Sequence, residues 1–127
     1  LYFSTDAVKK AIIAQEEIIR KIADNGACVI VGRASDYVLK DYENTINIFI
    51  HAPFELRVNN IMKMYNDDEV EASENVKKSD YIRSSYYKIL TGKKWNDLKN
   101  YTLSINSSIG ISLCVEQICA LYNKMNK

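Results

Sequence analysis

Five consecutive apolar residues, Ala27-Cys28-Val29-Ile30-Val31, run straight into Gly32-Arg33. A half-buried strand would alternate polar and apolar positions. An unbroken run predicts a strand buried on both faces, as in a parallel sheet. The flanking sequence agrees. From Ala7 to Ala23, Val8, Ala11, Ile12, Ile18, Ile19 and Ile22 recur at helical spacing, with Lys9, Lys10, Glu16, Glu17, Arg20 and Lys21 opposite. Ser4 or Thr5 is the expected N-cap, and Asn25-Gly26, both tolerant of left-handed backbone, the expected stop. Ser35 to Leu39 fits a helical turn, and Ile46 to Ala52 a second strand. Pro53 opens a helix to about Tyr65, because the first turn has no use for its missing N–H. Asn66-Asp67-Asp68 breaks that helix. Glu69 to Leu90 is polar, charge-laced and helix-compatible, ending at Thr91-Gly92. Lys93 to Asn100 reads as a loop and Tyr101 to Asn106 as a third strand. Ile111 to Met125 reads as a final helix with Leu113, Val115, Ile118, Leu121 and Met125 on its face. Strands that alternate with helices predict an α/β fold around a parallel sheet.

Glycine numbers 4 and proline 1, too few breakers for an all-β protein of many turns. With glycines only at 26, 32, 92 and 110, no glycine-rich phosphate loop can be assembled from these residues. GxxxxGK[ST], GxSxG and HExxH are all absent. The chain has 127 residues, enough for one domain, and its 47% hydrophobic residues argue against disorder. Seventeen basic against sixteen acidic side chains give +1, which excludes the strongly basic balance of a general nucleic-acid or membrane-surface binder. No apolar run reaches the roughly 18 residues of a membrane span, so no membrane partner is expected. Lys9 and Lys10 follow the first apolar residues instead of preceding them, unlike a signal peptide. Cys28, Cys114 and Cys119 form no CxxC pair and there is one histidine, His51. No metal site is expected, and reduced thiols suit a cytoplasmic protein. The chain opens on Leu1 in place of methionine, so it is expected to begin partway through something. Leu1-Tyr2-Phe3 has a slight look of a protease-tag scar, but Ser4 spoils the match.

Three places carry polar chemistry. Arg33 follows the first strand directly, at the carboxyl end where parallel sheets bind ligands. There it either grips an anion in bidentate fashion or pairs with Asp36. Asn106-Ser107-Ser108 lies at another strand's carboxyl end, and either reaches the same rim or simply caps the final helix. Lys77, Lys78, Arg83, Lys88, Lys93 and Lys94 are interleaved with Tyr81, Tyr86, Tyr87 and Trp95. Such a stretch is either a solvated helix face or a surface for phosphates and stacked bases. Single-stranded nucleic acid is the least favoured ligand, given the +1 total.

Four strings resemble the cytidylate kinase-like family of bacteria. They are Cys28-Val29-Ile30-Val31-Gly32-Arg33-Ala34-Ser35-Asp36-Tyr37-Val38-Leu39; Ile48-Phe49-Ile50-His51-Ala52 with Arg57 on the next helix; Arg83-Ser84-Ser85-Tyr86-Tyr87 leading into Thr91-Gly92-Lys93-Lys94-Trp95; and Tyr101 to Ser108. The resemblance covers nearly the whole chain. It implies a P-loop nucleoside-monophosphate kinase fold, a three-layer parallel sheet with a helical lid insertion at 66–95. It also implies that the first strand and phosphate loop belong N-terminal to Leu1, making 1–127 a partial domain that is inactive alone. The implied activity is transfer of the γ-phosphoryl group of ATP, with Mg2+, to a CMP-like nucleoside monophosphate. Arg57 and Arg83 would then be the catalytic cations. Arg33, Asp36, Asp80, Tyr86, Tyr87, Asn106 and Ser107 would bind substrate. Glu69 to Trp95 would be a lid hinged near Asn66 and Gly92. The sequence departs from cytidylate kinases proper at Ala34, Tyr81 and Asn60, each of which stands where a charged residue is usual. The alternative is a degenerate, non-catalytic module that senses a nucleotide or docks a partner. The tyrosine-rich surface would suit a homodimer.

Overall fold

A computed structural model of the chain describes residues 5–126. The Leu1-Tyr2-Phe3 reading and the Ser4 cap therefore lie outside the described residues. Contacts divide the chain into two compact units, Leu1–Thr45 and Ile46–Lys127.

In the first unit, helix α1 spans Asp6–Asp24. Thr5 caps it, its Oγ1 accepting the Val8 N–H at 3.3 Å. Asp6 in the first turn and Lys21 in the last both suit the helix dipole. At the stop, Asn25 stays right-handed (φ −83°) and Gly26 alone takes positive φ (+126°). The short helix α2 spans Ser35–Val38. Ile19, Val38 and Leu39 bury together, with Ala23, Ile30 and Tyr42 against them. The Tyr42 hydroxyl donates to the Asp24 carboxylate at 2.8 Å. That bond raises the Tyr42 pKa above its ordinary 10.0, with desolvation and the Asp24 charge adding to it.

Residues 27–31 correct the sequence reading, because they form no strand. Val29 and Val31 are 93% and 87% exposed, and only Ile30 packs inward. Apolar side chains set a preference for burial, but a strand also needs a neighbour to receive its N–H and C=O groups. Among the described residues the one ladder lies in the second unit.

That ladder joins β1, Ile48–His51, to β2, Leu103–Asn106, in parallel. Ile48 stands opposite Leu103 and His51 opposite Asn106. The Asn47 carbonyl accepts the Thr102 and Leu103 N–H groups at 2.7 and 3.2 Å, and Asn47 N–H donates to Thr102 Oγ1 at 3.1 Å. Both strands are shorter than the expected Ile46 to Ala52 and Tyr101 to Asn106. Helix α3, Phe54–Tyr65, starts from Pro53 and stops at Asn66, which is left-handed at φ 57°. Helix α4, Glu69–Thr91, is capped by Asp68, whose carboxylate accepts the Glu71 N–H at 2.8 Å. It ends at Gly92, φ 73°. The helices α3 and α4 pack through Val58, Ala72 and Val76, with Phe54, Ile61 and Met62 alongside. Ala72 is 0% exposed within that packing.

After α4, a loop with a 3-10 turn at Leu98–Asn100 returns the chain to β2. A second 3-10 turn, Ser107–Ile109, leads through Gly110 (φ 104°) into α5, Ile111–Met125. The observed architecture is thus α/β, mostly helical, with a two-stranded parallel sheet among the described residues. No helix of the described residues is long and apolar enough to cross a membrane.

Candidate functional site

Asp80 and Arg83 are one helical turn apart on α4, so their side chains share a face. Arg83 Nη2 donates to Asp80 Oδ1 at 2.9 Å. Arg57 reaches the same carboxylate from α3 in bidentate fashion, Nη1 to Oδ2 at 2.9 Å and Nη2 to Oδ1 at 2.5 Å. The packing of Val58 against Ala72 and Val76 sets the spacing that makes this possible. Asp80 is thereby held between two guanidinium groups. Its side chain is 34% exposed, that of Arg57 28% and that of Arg83 51%. Partial burial disfavours the charged carboxylate. The hydrogen bonds and charge of Arg57, then those of Arg83, outweigh that and hold Asp80 below its ordinary pKa of 3.8.

The second half of the cluster rises from the sheet. Phe49 and His51 alternate to one face of β1, and their rings stack at 5.9 Å and 22°. Tyr101 tilts onto Phe49 at 4.9 Å, and Trp95 meets the same ring edge-on at 5.3 Å and 81°. The Tyr101 hydroxyl donates to the Trp95 carbonyl. Asn100 Nδ2 donates to the Lys94 carbonyl at 2.7 Å, closing the loop around the indole. Arg83 lies over the Trp95 ring at 4.7 Å from its centroid. A contact of this kind contributes about 0.5–1 kcal/mol where solvent is near. One continuous set of contacts therefore runs from β1 to the arginine of α4.

Along the same helices lies a groove of about 670 Å³, lined by Arg57, Asn60, Tyr65, Asn75, Ser79 and Arg83 among others. Its lining carries two cations, Arg57 and Arg83, and one carboxylate, Asp67, which accepts from the Asn75 amide at 3.2 Å. Guanidinium forks match phosphate oxygens as they match a carboxylate. The arrangement suits a phosphorylated ligand.

The remaining sequence-predicted residues are placed as follows. Arg33 is in the first unit, exposed, at φ 60° in a turn where Gly32 (72°) and Ala34 (52°) are left-handed too. Among the described residues it makes no ion pair, so pairing with Asp36 is not found. Asp36 is half-buried in the first turn of α2. Tyr86 is half-buried and Tyr87 is 4% exposed, its carbonyl accepting the Thr91 hydroxyl at 2.7 Å. Asn106 ends β2 beside His51. Its Oδ1 accepts the Ser108 N–H at 3.0 Å and so caps the 3-10 turn, whereas α5 has no side-chain cap. Ser107 is half-buried within that turn.

Sequence reasoning singled out Arg57, Asp80 and Arg83 and noted Trp95 among the aromatics of the basic stretch, but did not place the indole under Arg83 or Phe49 against the indole. A usable signal was present: Phe49 and His51 share a strand face two residues apart. No three His, Cys, Asp or Glu side chains of the described residues gather as metal ligands, and Asp80 is committed to two arginines.

A family model described as the cytidylate kinase-like family matches residues 4–109. That span takes in α1 to α4 and both strands. The crystal structure of an uncharacterized protein from Eubacterium ventriosum is similar over 96% of this chain and 70% of its own, with 27% identity and a TM-score of 0.88. No curated protein matches the chain.

Proposed function

The chain belongs to the cytidylate kinase-like family, and from that premise we propose that it handles nucleotides as part of a phosphoryl-transfer enzyme. The reaction moves the γ-phosphoryl group of ATP to a CMP-like nucleoside monophosphate. The observation that carries this reading is the carboxylate of Asp80 gripped by Arg57 and Arg83 from two helices. Phosphoryl transfer asks little covalent chemistry of a protein and much positioning of positive charge. A carboxylate held by two guanidinium groups marks a place where an anion is already stable. A phosphate carries more charge and more acceptor oxygens, so it competes for the same donors.

On this reading Arg57 and Arg83 are the catalytic cations and Asp80 is their internal partner. Arg33 and Asp36 face the acceptor nucleotide, with Tyr86, Tyr87, Asn106 and Ser107 as further substrate contacts. Residues 66–95 act as a lid that excludes water. Its hinges lie near Asn66 and Gly92, both left-handed. The strands β1 and β2 belong to a three-layer sheet of the P-loop kinase type. The site of action is the cytoplasm, where ATP and nucleoside monophosphates are found. These 127 residues contain no glycine-rich phosphate loop, so alone they bind phosphate and transfer none. No step of the reading runs through a metal ion held by these side chains.

A second reading, a nucleotide sensor without catalysis, is favoured by one observation. Arg57 turns its bidentate fork toward Asp80, so that edge of the guanidinium is not open to a moving phosphoryl group. The two readings part in a single experiment. The protein as its gene encodes it is titrated calorimetrically with ATP and with each common nucleoside monophosphate, and ADP formation is followed in parallel. Binding with turnover supports the kinase and binding without turnover the sensor. Absence of binding overturns both.

A further inference from the structure

Arg83 is the freer of the two arginines, with 51% of its side chain exposed against 28% for Arg57. A long side chain with that freedom loses substantial rotamer entropy when a ligand orders it. The single bond to Asp80 at 2.9 Å fixes one nitrogen but not the plane of the guanidinium. The guanidinium carbon lies over the indole of Trp95, 4.7 Å from the ring centroid, which gives the group a second point of contact. Trp95 is itself held in place. Phe49 of β1 meets it at 5.3 Å, Tyr101 bonds its carbonyl, and the Asp97 N–H to Lys94 carbonyl bond at 3.2 Å closes the turn that carries it.

We propose that Trp95 is a positioning residue for Arg83. It sets the guanidinium plane so that the N–H edge left free by Asp80 faces an incoming phosphate. The division of labour follows from shape. The aromatic ring takes the flat face of the cation and uses none of its N–H donors, and the phosphate takes the edge. The ligand class is a di- or triphosphate group, whose oxygens accept from that edge. This inference rests on the nucleotide reading for its ligand, but the coupling of Arg83 to Trp95 exists without one.

The test is a cycle of four proteins, wild type, Arg83→Gln, Trp95→Leu and the double variant, titrated with inorganic pyrophosphate. Trp95→Leu is expected to weaken pyrophosphate by about threefold to fivefold in the wild-type background, the fold-change that corresponds to one exposed cation–π contact. In the Arg83→Gln background it is expected to change affinity less than about twofold, because the residue it positions is gone. Trp95→Phe keeps an aromatic face and is expected to recover most of the loss. Equal losses in both backgrounds, or no recovery with phenylalanine, overturn the proposal. If the wild type binds no pyrophosphate, the nucleotide reading fails, and the same cycle read by urea midpoints without ligand decides the inference. Non-additive shifts uphold the coupling and additive shifts overturn it. Should Trp95→Leu not fold, the emission of Trp95, the sole tryptophan, decides. Arg83→Gln is expected to shift it, and an unchanged spectrum overturns the contact.

Discussion

Arg33 and Arg83 are both presented by the fold, and by opposite means. Arg33 stands in a turn where Gly32, Arg33 and Ala34 all have positive φ, and no ion pair holds it among the described residues. Its direction comes from the backbone. A non-glycine residue held in the left-handed region costs roughly 1–2 kcal/mol. Arg83 sits on an ordinary helix and is aimed by its side-chain contacts, a carboxylate at 2.9 Å and an indole at 4.7 Å. The difference matters for how each cation meets an anion. Among the described residues Arg33 has no ion pair to give up, while Arg83 and Arg57 must share their donors with Asp80. Backbone strain buys an open cation, and side-chain contacts give an ordered one.

The comparison breaks most severely if the helices under the ordered cluster are pushed apart. Ala72→Leu adds volume where the side chain is 0% exposed, and overpacking of that kind costs about 2–3 kcal/mol. Chemical denaturation is expected to show that loss, together with weaker pyrophosphate binding as Arg57 and Asp80 separate. Next in size is Asp80→Ala, which leaves the partly buried Arg57 guanidinium without that partner. A loss of about 1–3 kcal/mol is expected from the unpaired donor. An unchanged urea midpoint would show that the ion pair is ornamental. In the other region the expected sign reverses. Arg33→Gly relieves the positive φ and is expected to raise stability by about 0.5–1 kcal/mol, against the entropy it returns to the unfolded chain.

The smallest effects lie at the two ends of the pH scale. Asp80 is held below its ordinary 3.8, so its contribution is complete above that value and is lost as pH falls through the lower folded-state pKa. Asp80→Asn is expected to flatten the acid limb of a midpoint-against-pH curve. Tyr42, in the region of Arg33, has its pKa raised by Asp24. Its contribution is complete below 10.0 and is lost as pH rises through the higher folded-state value. Tyr42→Phe is expected to flatten the alkaline limb and leave the acid limb alone.

How far the sequence could be read follows from what each element depends on. The helices depend on local periodicity and caps, and α1, α3, α4 and α5 lie within a residue or so of their expected ends. The left-handed stops at Asn66 and Gly92 were legible because few residues tolerate that conformation. Residues 27–31 were misread because composition reports a preference for burial and says nothing of a ladder partner. Asp80 and Arg83 share a helix face, so their pairing is legible from spacing. Arg57 meets them from 23 positions away, and only a resemblance to a known family brought it into the same site. Trp95 was visible as one of several aromatics among lysines, but its place under Arg83 depends on a loop closed by Tyr101 and Asn100, which no local pattern encodes.

The central claim is that the Arg57–Asp80–Arg83 cluster is a phosphate site. Calorimetric titration of pyrophosphate into the wild type and into Arg57→Gln/Arg83→Gln tests it most directly. Two charge-assisted contacts removed together are expected to cost about a hundredfold in affinity, with the far-ultraviolet spectrum unchanged. Equal affinity in the two proteins would contradict the claim and move the search for the anion site elsewhere in the chain.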